Sequence, residues 1–416
     1  MLRWIPLSIV VCLSFASSAA LAAPREANWP QWRGPQRSDV AAEAGLLQEW
    51  PKDGPKRLWL FSDCGMGYSG PAVVGKTLYT MGGRRGKEAL IAIEIERGTE
   101  KWAAEIGEVF EQDRGEGPRG TPAVSGERVY GLGGGGDLAC VESASGKLVW
   151  RVTMKELGGA TPRWGYSESV LVDGQRVICT PGGSKGAVAA LDKDSGKVIW
   201  QSKGFNDDAH YVSPIAAEVH GVRQYIQLTG KSLVGLSAED GKLLWRVEWP
   251  GQVAVVPTPI FHDNHVYVTA GYGVGCRLVK LLPDGKTEEI YSNKEMVNHH
   301  GGVILVDGRL YGYSDGKGWV CQDFASGKTL WRDKSLGKGA IGYADGRFYC
   351  VDEDSGAVAL IEASPESRKE RGRFTLEPQT KQRSPKGKIW THPVITGGRL
   401  YLRDQEILSC YDVVRN

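Results

Sequence analysis

The sequence predicts an all-β fold, a single eight-bladed β-propeller with four-stranded blades, and three observations carry that prediction. A unit of about 45 residues recurs along the chain, the period of a four-strand propeller blade. Each unit ends in a strand with one large aromatic residue, giving Trp102, Trp150, Trp200, Trp245, Tyr291, Trp331 and Phe374, spaced 48, 50, 45, 46, 40 and 43 residues apart. The last unit, residues 391–413, supplies only three strands, whereas KRLWLF at 56–61 reads as a lone outer strand whose Trp59 precedes Trp102 by 43 residues. Pairing the two ends closes the ring and removes unpaired edges. A seven-bladed ring with a degenerate extra segment is the competing count.

The clearest unit runs from Gly117 to Thr153. Period-two patterning marks TPAVS at 121–125, RVYGLG at 128–133, DLACVES at 137–143 and KLVWRV at 147–152, separated by turn sequences rich in Gly and Ser. The same order recurs at 68–107, 164–203 and 210–249, and more weakly at 255–294, 298–335 and 338–376.

Three regions result: a signal peptide at 1–23, an N-terminal arm packed on the propeller at 24–55, and the propeller at 56–416. The first has one positive charge at Arg3, the apolar run IPLSIVVCLSF and the small-residue end AALAA, the pattern of a secretory leader. A periplasmic or secreted chain with no membrane span is therefore expected. The arm has Trp29 and Trp32 as anchors, Trp50 as a further packing residue, and a piece, AAEAGLLQEW, that predicts one or two helical turns.

Net charge is +2 for the whole chain, and the densest basic stretches, 367–374 and 381–388, fall on the last connection, so no nucleic-acid footprint is read. Seven cysteines follow the leader, with no CxxC, and are expected to be buried free thiols. Asp192–Lys197 and Asp352–Ala357 imitate the start of a calcium loop but lack its twelfth-position acid, and both read as the turn before a fourth strand. GLGGGG at 131–136 lacks the helix that a dinucleotide site needs.

Chemistry is expected where the inner strands begin, because their entry loops converge on the channel mouth. The catalytic candidates there are His299, His300, Glu168 and His210. The ligand-facing candidates are Tyr68, Arg119, Trp164, Tyr166, Tyr211, Lys338, Trp390 and His392, with Arg119 and Lys338 suited to a carboxylate. No local spacing enforces a metal site, and none is assigned.

The turn-plus-strand sequences ASGKLVW, DSGKVIW, EDGKLLW and ASGKTLW resemble the tryptophan-docking repeat of quinoprotein alcohol dehydrogenase-like propellers. With NWPQWRGPQR, WGYSES, NHHGG and WTHPVITGGRLYLRD, the mature chain is similar to the PQQ-binding-like propeller proteins of planctomycetes and related bacteria. In the dehydrogenases the resemblance implies PQQ beside calcium at the centre, an aspartate base, and a disulfide between adjacent cysteines. This chain has no Cys-Cys pair and no acid that matches the calcium ligands or the base. A scaffold of the outer membrane belongs to the same propeller class and works through protein contacts. The expectation is thus a monomeric binding or scaffold module for a small ligand, glycan or envelope protein. The alternative is an oxidoreductase that uses PQQ with calcium, or another quinone, on an alcohol or sugar.

Overall fold

The computed structural model describes residues 26–415, so the expected leader at 1–23 lies outside the described residues. Eight antiparallel sheets form the ring, each running from a short inner strand to an outer one. In the second blade Ala123–Ser125, Arg128–Leu132, Asp137–Glu142 and Leu148–Thr153 pair in chain order. The third of these is buried along its middle because neighbouring blades cover both its faces, whereas the outer strand buries Trp150 alone. The ring closes where Arg57–Phe61 pairs with Ile407–Asp412, outside Arg399–Asp404 and Val394–Thr396.

The repeated aromatic holds each blade to the next. In seven blades a β-bulge lies directly beside it, where the extra residue re-aims the side chain. Indole Nε1 of Trp59, Trp102, Trp150 and Trp331 donates to the backbone carbonyls of Ile95, Ser143, Lys193 and Ser364 at 2.6, 3.1, 2.9 and 2.9 Å. Trp245 departs from this pattern and donates to Gln224 Oε1 within its own blade. Gly98 shows why the turn needs glycine: it has φ 67°, and an added Cβ would sit 2.5 Å from the Trp59 ring.

The arm crosses the channel. Asn28–Trp29 adds a fifth strand inside the first blade, and Val40–Ala41 pairs in parallel with the seventh. Between them, Pro30 C=O accepts from Val124 N–H of the second blade at 2.7 Å, and Arg33 donates to Val303 C=O of the sixth at 2.6 Å. Arg37 donates to Ser169 C=O at the third blade, at 2.7 Å. Contacts to blades on opposite sides of the ring make residues 28–41 a plug. Arg33 is neutralised by Asp39, Nε to Oδ2 2.6 Å, with both side chains almost fully buried.

Two sequence expectations are corrected here. Residues 41–50 form no helix, because Leu46 N–H and Gln48 are drawn to Asp345 and Leu46 bridges Val414. Trp50 is buried against Tyr349 and Phe374. The turn after Asp352 joins the second and third strands of the seventh blade, Arg347–Asp352 and Ala357–Glu362, not the third and fourth. It therefore sits at the mouth. The likeness of its DSG to the turn of other blades hid a shift of one strand, since this blade uses residues 363–369 before its fourth strand.

The seven described cysteines are free and buried. No described helix is long and apolar enough to cross a membrane.

Candidate functional site

Above the plug lies a cavity of about 190 Å³. Its floor is Trp32, whose Nε1 donates to Thr258 Oγ1 at 3.0 Å and whose ring lies 4.5 Å from that of His392. His392 Nδ1 is 3.2 Å from Asp39 Oδ2, so the ion pair that fixes the plug also fixes this wall.

The walls are aromatic. Tyr68 and Trp390 lie 4.9 Å apart, Trp164 and Tyr211 5.7 Å, and Tyr272 and His299 4.7 Å, with interplanar angles of 46°, 50° and 66°. Tyr68 donates its hydroxyl to Arg114 C=O, and burial raises its pKa above the usual tyrosine value. Tyr272 stands at the rim, 45% exposed and at φ 56°. A bulky residue in that left-handed conformation is a local strain of the kind that accumulates at ligand sites.

Two guanidinium groups enter the same space. Arg119 donates to the carbonyls of Gly115 (2.7 Å) and Gly117 and stacks over Phe110, and burial lowers its pKa to about 10. Arg114 lies 5.8 Å from the Trp164 ring. Neither makes an ion pair within the described residues. Both come from the connection at 107–120, which is braced from below by Glu88 through bonds from Phe110 N–H and Gly134 N–H. Burial pushes the Glu88 carboxyl up to about 7.

The adjacent histidines are held differently. His299 Nδ1 faces Lys338 Nζ at 3.1 Å, and that ammonium is paired with Asp315 at 2.7 Å. Burial, with His300, Lys338 and Arg114 nearby, lowers the His299 pKa to about 3. A neutral imidazole that accepts at Nδ1 carries its proton on Nε2. His300 Nε2 lies 2.5 Å from Glu353 Oε2, which also accepts from Trp390 Nε1 at 3.1 Å. His300 Nδ1 is buried without a hydrogen-bond partner among the described residues.

The cavity lining thus brings together Tyr68, Arg119, Trp164, Tyr211, His299, His300, Trp390 and His392. The other four candidates lie outside it. Tyr166 turns away and donates to Pro181 C=O at 2.9 Å. Glu168 is buried between blades, where it accepts from Thr180 N–H and burial raises its pKa to about 8. His210 accepts from Val255 N–H at 3.4 Å beside Gly230, and Lys338 reaches the site only through His299. The run 164–170 ahead of the inner strand is irregular: Trp164, Ser167 and Ser169 line the cavity, while Tyr166 and Glu168 face the blades. Arg33, Gln112, Arg114, Tyr272 and Glu353 were not singled out from sequence, and Trp32 only as a packing anchor of the arm, because they lie on the arm, on long connections or on the shifted turn. The length of 107–120 was the one available signal.

No Asp or Glu lines the cavity. Calcium takes six to eight oxygen ligands, dominated by carboxylates and carbonyls. Asp39 and Glu353, which touch lining residues, are engaged by Arg33 with His392 and by His300 with Trp390. No group of three or more His, Cys, Asp or Glu residues among the described residues could hold a metal ion. The residues present do not fit a calcium-held quinone.

A family model described as outer membrane protein assembly factor BamB matches residues 86–322. No curated protein matches the chain. Among solved structures, BamB from Moraxella catarrhalis is similar at 15% identity and a TM-score of 0.58, over 86% of this chain and 99% of that one. The computationally designed Ika8 protein is similar at 10% identity and a TM-score of 0.60, over 86% and 100%. Quinohemoprotein alcohol dehydrogenase ADHIIG from Pseudomonas putida HK5 is similar at 11% identity and a TM-score of 0.50, over 94% and 81%. At such identities these structures share the fold, and the family model, which spans more than half of the residues, places the chain: it belongs to the PQQ-like β-propeller family that carries the BamB description.

Proposed function

We propose that this protein is an extracytoplasmic binding module that holds a small organic ligand in the blind cavity at its channel mouth. One observation carries the reading: a plugged channel is walled by rings and by two guanidinium groups without carboxylate partners, and carries no acid of its own. Convergent polar groups in an apolar, preformed concavity are the usual mark of a ligand site. Placement outside the cytoplasm, from residues 1–23, is part of the proposal.

The test is a thermal-shift screen of sugars and organic acids on wild type and on Ser167→Phe, which fills the cavity from its wall. Ligands that raise the wild-type midpoint and leave the variant unmoved support the reading. Dye-linked oxidation of an alcohol or sugar after loading with PQQ and calcium would replace it with the oxidoreductase. Capture of an envelope protein equally by both forms, with no ligand shift, would replace it with a scaffold.

A further inference from the structure

Three features of the cavity bear on what it takes. The first is charge. Arg114 and Arg119 are the cations of the lining that make no direct ion pair with a described carboxylate, Glu88 acting on Arg119 only through space, and Arg119 is fixed by bonds to the carbonyls of its own loop, so its position is set before a ligand arrives. A preorganised guanidinium with spare donors suits an oxyanion that accepts two parallel bonds. His299, through its Nε2–H, is a neutral donor beside them.

The second feature is shape. The rings of the lining meet in touching pairs, with centroids 4.9, 5.7 and 5.9 Å apart. Here the paired walls are tilted by 46° at Tyr68–Trp390, 50° at Trp164–Tyr211 and 67° at His300–Trp390. Tilted rings present their electron-rich faces in several directions. They match a puckered ring whose C–H bonds point out on all sides, since an aromatic face is the negative part of its quadrupole.

The third is size. About 190 Å³ is below the roughly 300–1,000 Å³ of sites for drug-sized ligands, which favours a single ring over a fused tricycle. The lining hydroxyls, among them Ser167 and Tyr211, are acceptors and donors for alcohol groups, whereas no carboxylate stands ready to repel an acid.

We infer that the ligand of this cavity is an anionic sugar, a single pyranose that carries a carboxylate or a sulfate ester, with its ring against the tilted aromatic walls and its acid group on Arg119 and Arg114. The inference rests on the reading of the cavity as a ligand site. It adds the chemical class.

The experiment is calorimetric titration of the folded mature protein with D-glucuronate, D-galacturonate, glucose 6-sulfate, glucose, benzoate and PQQ. A uronate or the sulfate is expected to bind one-to-one, at least about tenfold more tightly than glucose, the factor of one charge-assisted bond. Binding by the uronates alone assigns the carboxylate, and by glucose 6-sulfate alone the sulfate. Arg119→Ala is expected to weaken that binding about 10- to 100-fold. Because Arg119 also braces its loop, the exposed Arg114→Ala serves as the second variant, with a loss of about threefold or more expected for one partly screened charge. Glucose binding as well as the acids, or benzoate or PQQ binding where sugars do not, would overturn the anionic sugar and leave the cavity reading standing. Uronate binding that survives Arg119→Ala, Arg114→Ala and Ser167→Phe alike would overturn both. No binding of any probe would overturn the sugar assignment, while the broader thermal-shift screen decides the cavity reading separately.

Discussion

Replacing Asp39 by Asn tests whether the arm is a structural plug. Asp39 is 1% exposed and accepts from Arg33 Nε at 2.6 Å and from His392 Nδ1 at 3.2 Å. Asn keeps the size of the side chain and tolerates the positive φ of 59° at this position, so the backbone contributes little to the change. What is lost is the charge opposite a buried guanidinium. Breaking such a pair by removing one partner costs about 3–5 kcal/mol, against a total stability of about 5–15 kcal/mol for a domain. The pair lies within the arm and holds both of its members to the ring, Asp39 through His392 and Arg33 through Val303 C=O, so the cost falls first on release of residues 28–41. In urea the midpoint should drop, and trypsin cleavage after Arg33 or Arg37 should accelerate by about a hundredfold or more if opening is in rapid equilibrium. The double variant Arg33→Met with Asp39→Asn should recover part of the loss, because no charge is left orphaned although the bond of Arg33 to Val303 C=O is gone. A single variant within ~0.5 kcal/mol of wild type, cleaved at the wild-type rate, would refute the plug.

Other expectations follow from the blades and the buried acids. Trp150→Ala, which removes a ring 8% exposed and its bond to Lys193 C=O, should cost about 3–5 kcal/mol in urea unfolding. Gly98→Ala should lower the melting temperature with a cost of about 1–3 kcal/mol, because the new Cβ meets the Trp59 ring at 2.5 Å on a residue at φ 67°. Glu168, raised to about 8 by burial, keeps in the folded state a proton that the unfolded chain releases near ~4.3. Its contribution to stability is therefore present below the unfolded value and is lost as pH rises to about 8, after which it is constant. Glu168→Gln keeps the acceptor for Thr180 N–H and should flatten the fall in urea midpoint between pH 5 and 8; an unchanged slope would contradict the assignment.

The ring was legible because its signals repeat. An aromatic at a fixed place in every outer strand, with a Gly-bearing turn to receive it, needs no long-range information to be read, and the closing strand at Trp59 follows from the same count. The site was legible only where it lies on the repeat: Trp164, Tyr211, His299, His300, Trp390 and His392 stand at inner-strand entries and line the cavity. Tyr166 and Glu168 misled because the segment 164–170 is irregular, so position along it does not say which side chain faces the cavity. Trp32 was legible as an anchor of the arm, but its place under the cavity, and that of Arg33, were out of reach because an arm without a period gives no register. Glu353 was missed because the DSG turn of the seventh blade looks like a turn that elsewhere lies on the opposite face.

The most direct measurement of the central claim is a crystal structure of the protein soaked with D-glucuronate. Density is expected for one sugar ring inside the cavity, between Trp164, Trp390 and Tyr272, with its carboxylate within hydrogen-bonding distance of Arg119. A sugar seated on the outer turns of the blades, with the cavity holding only water at saturating ligand, would contradict it.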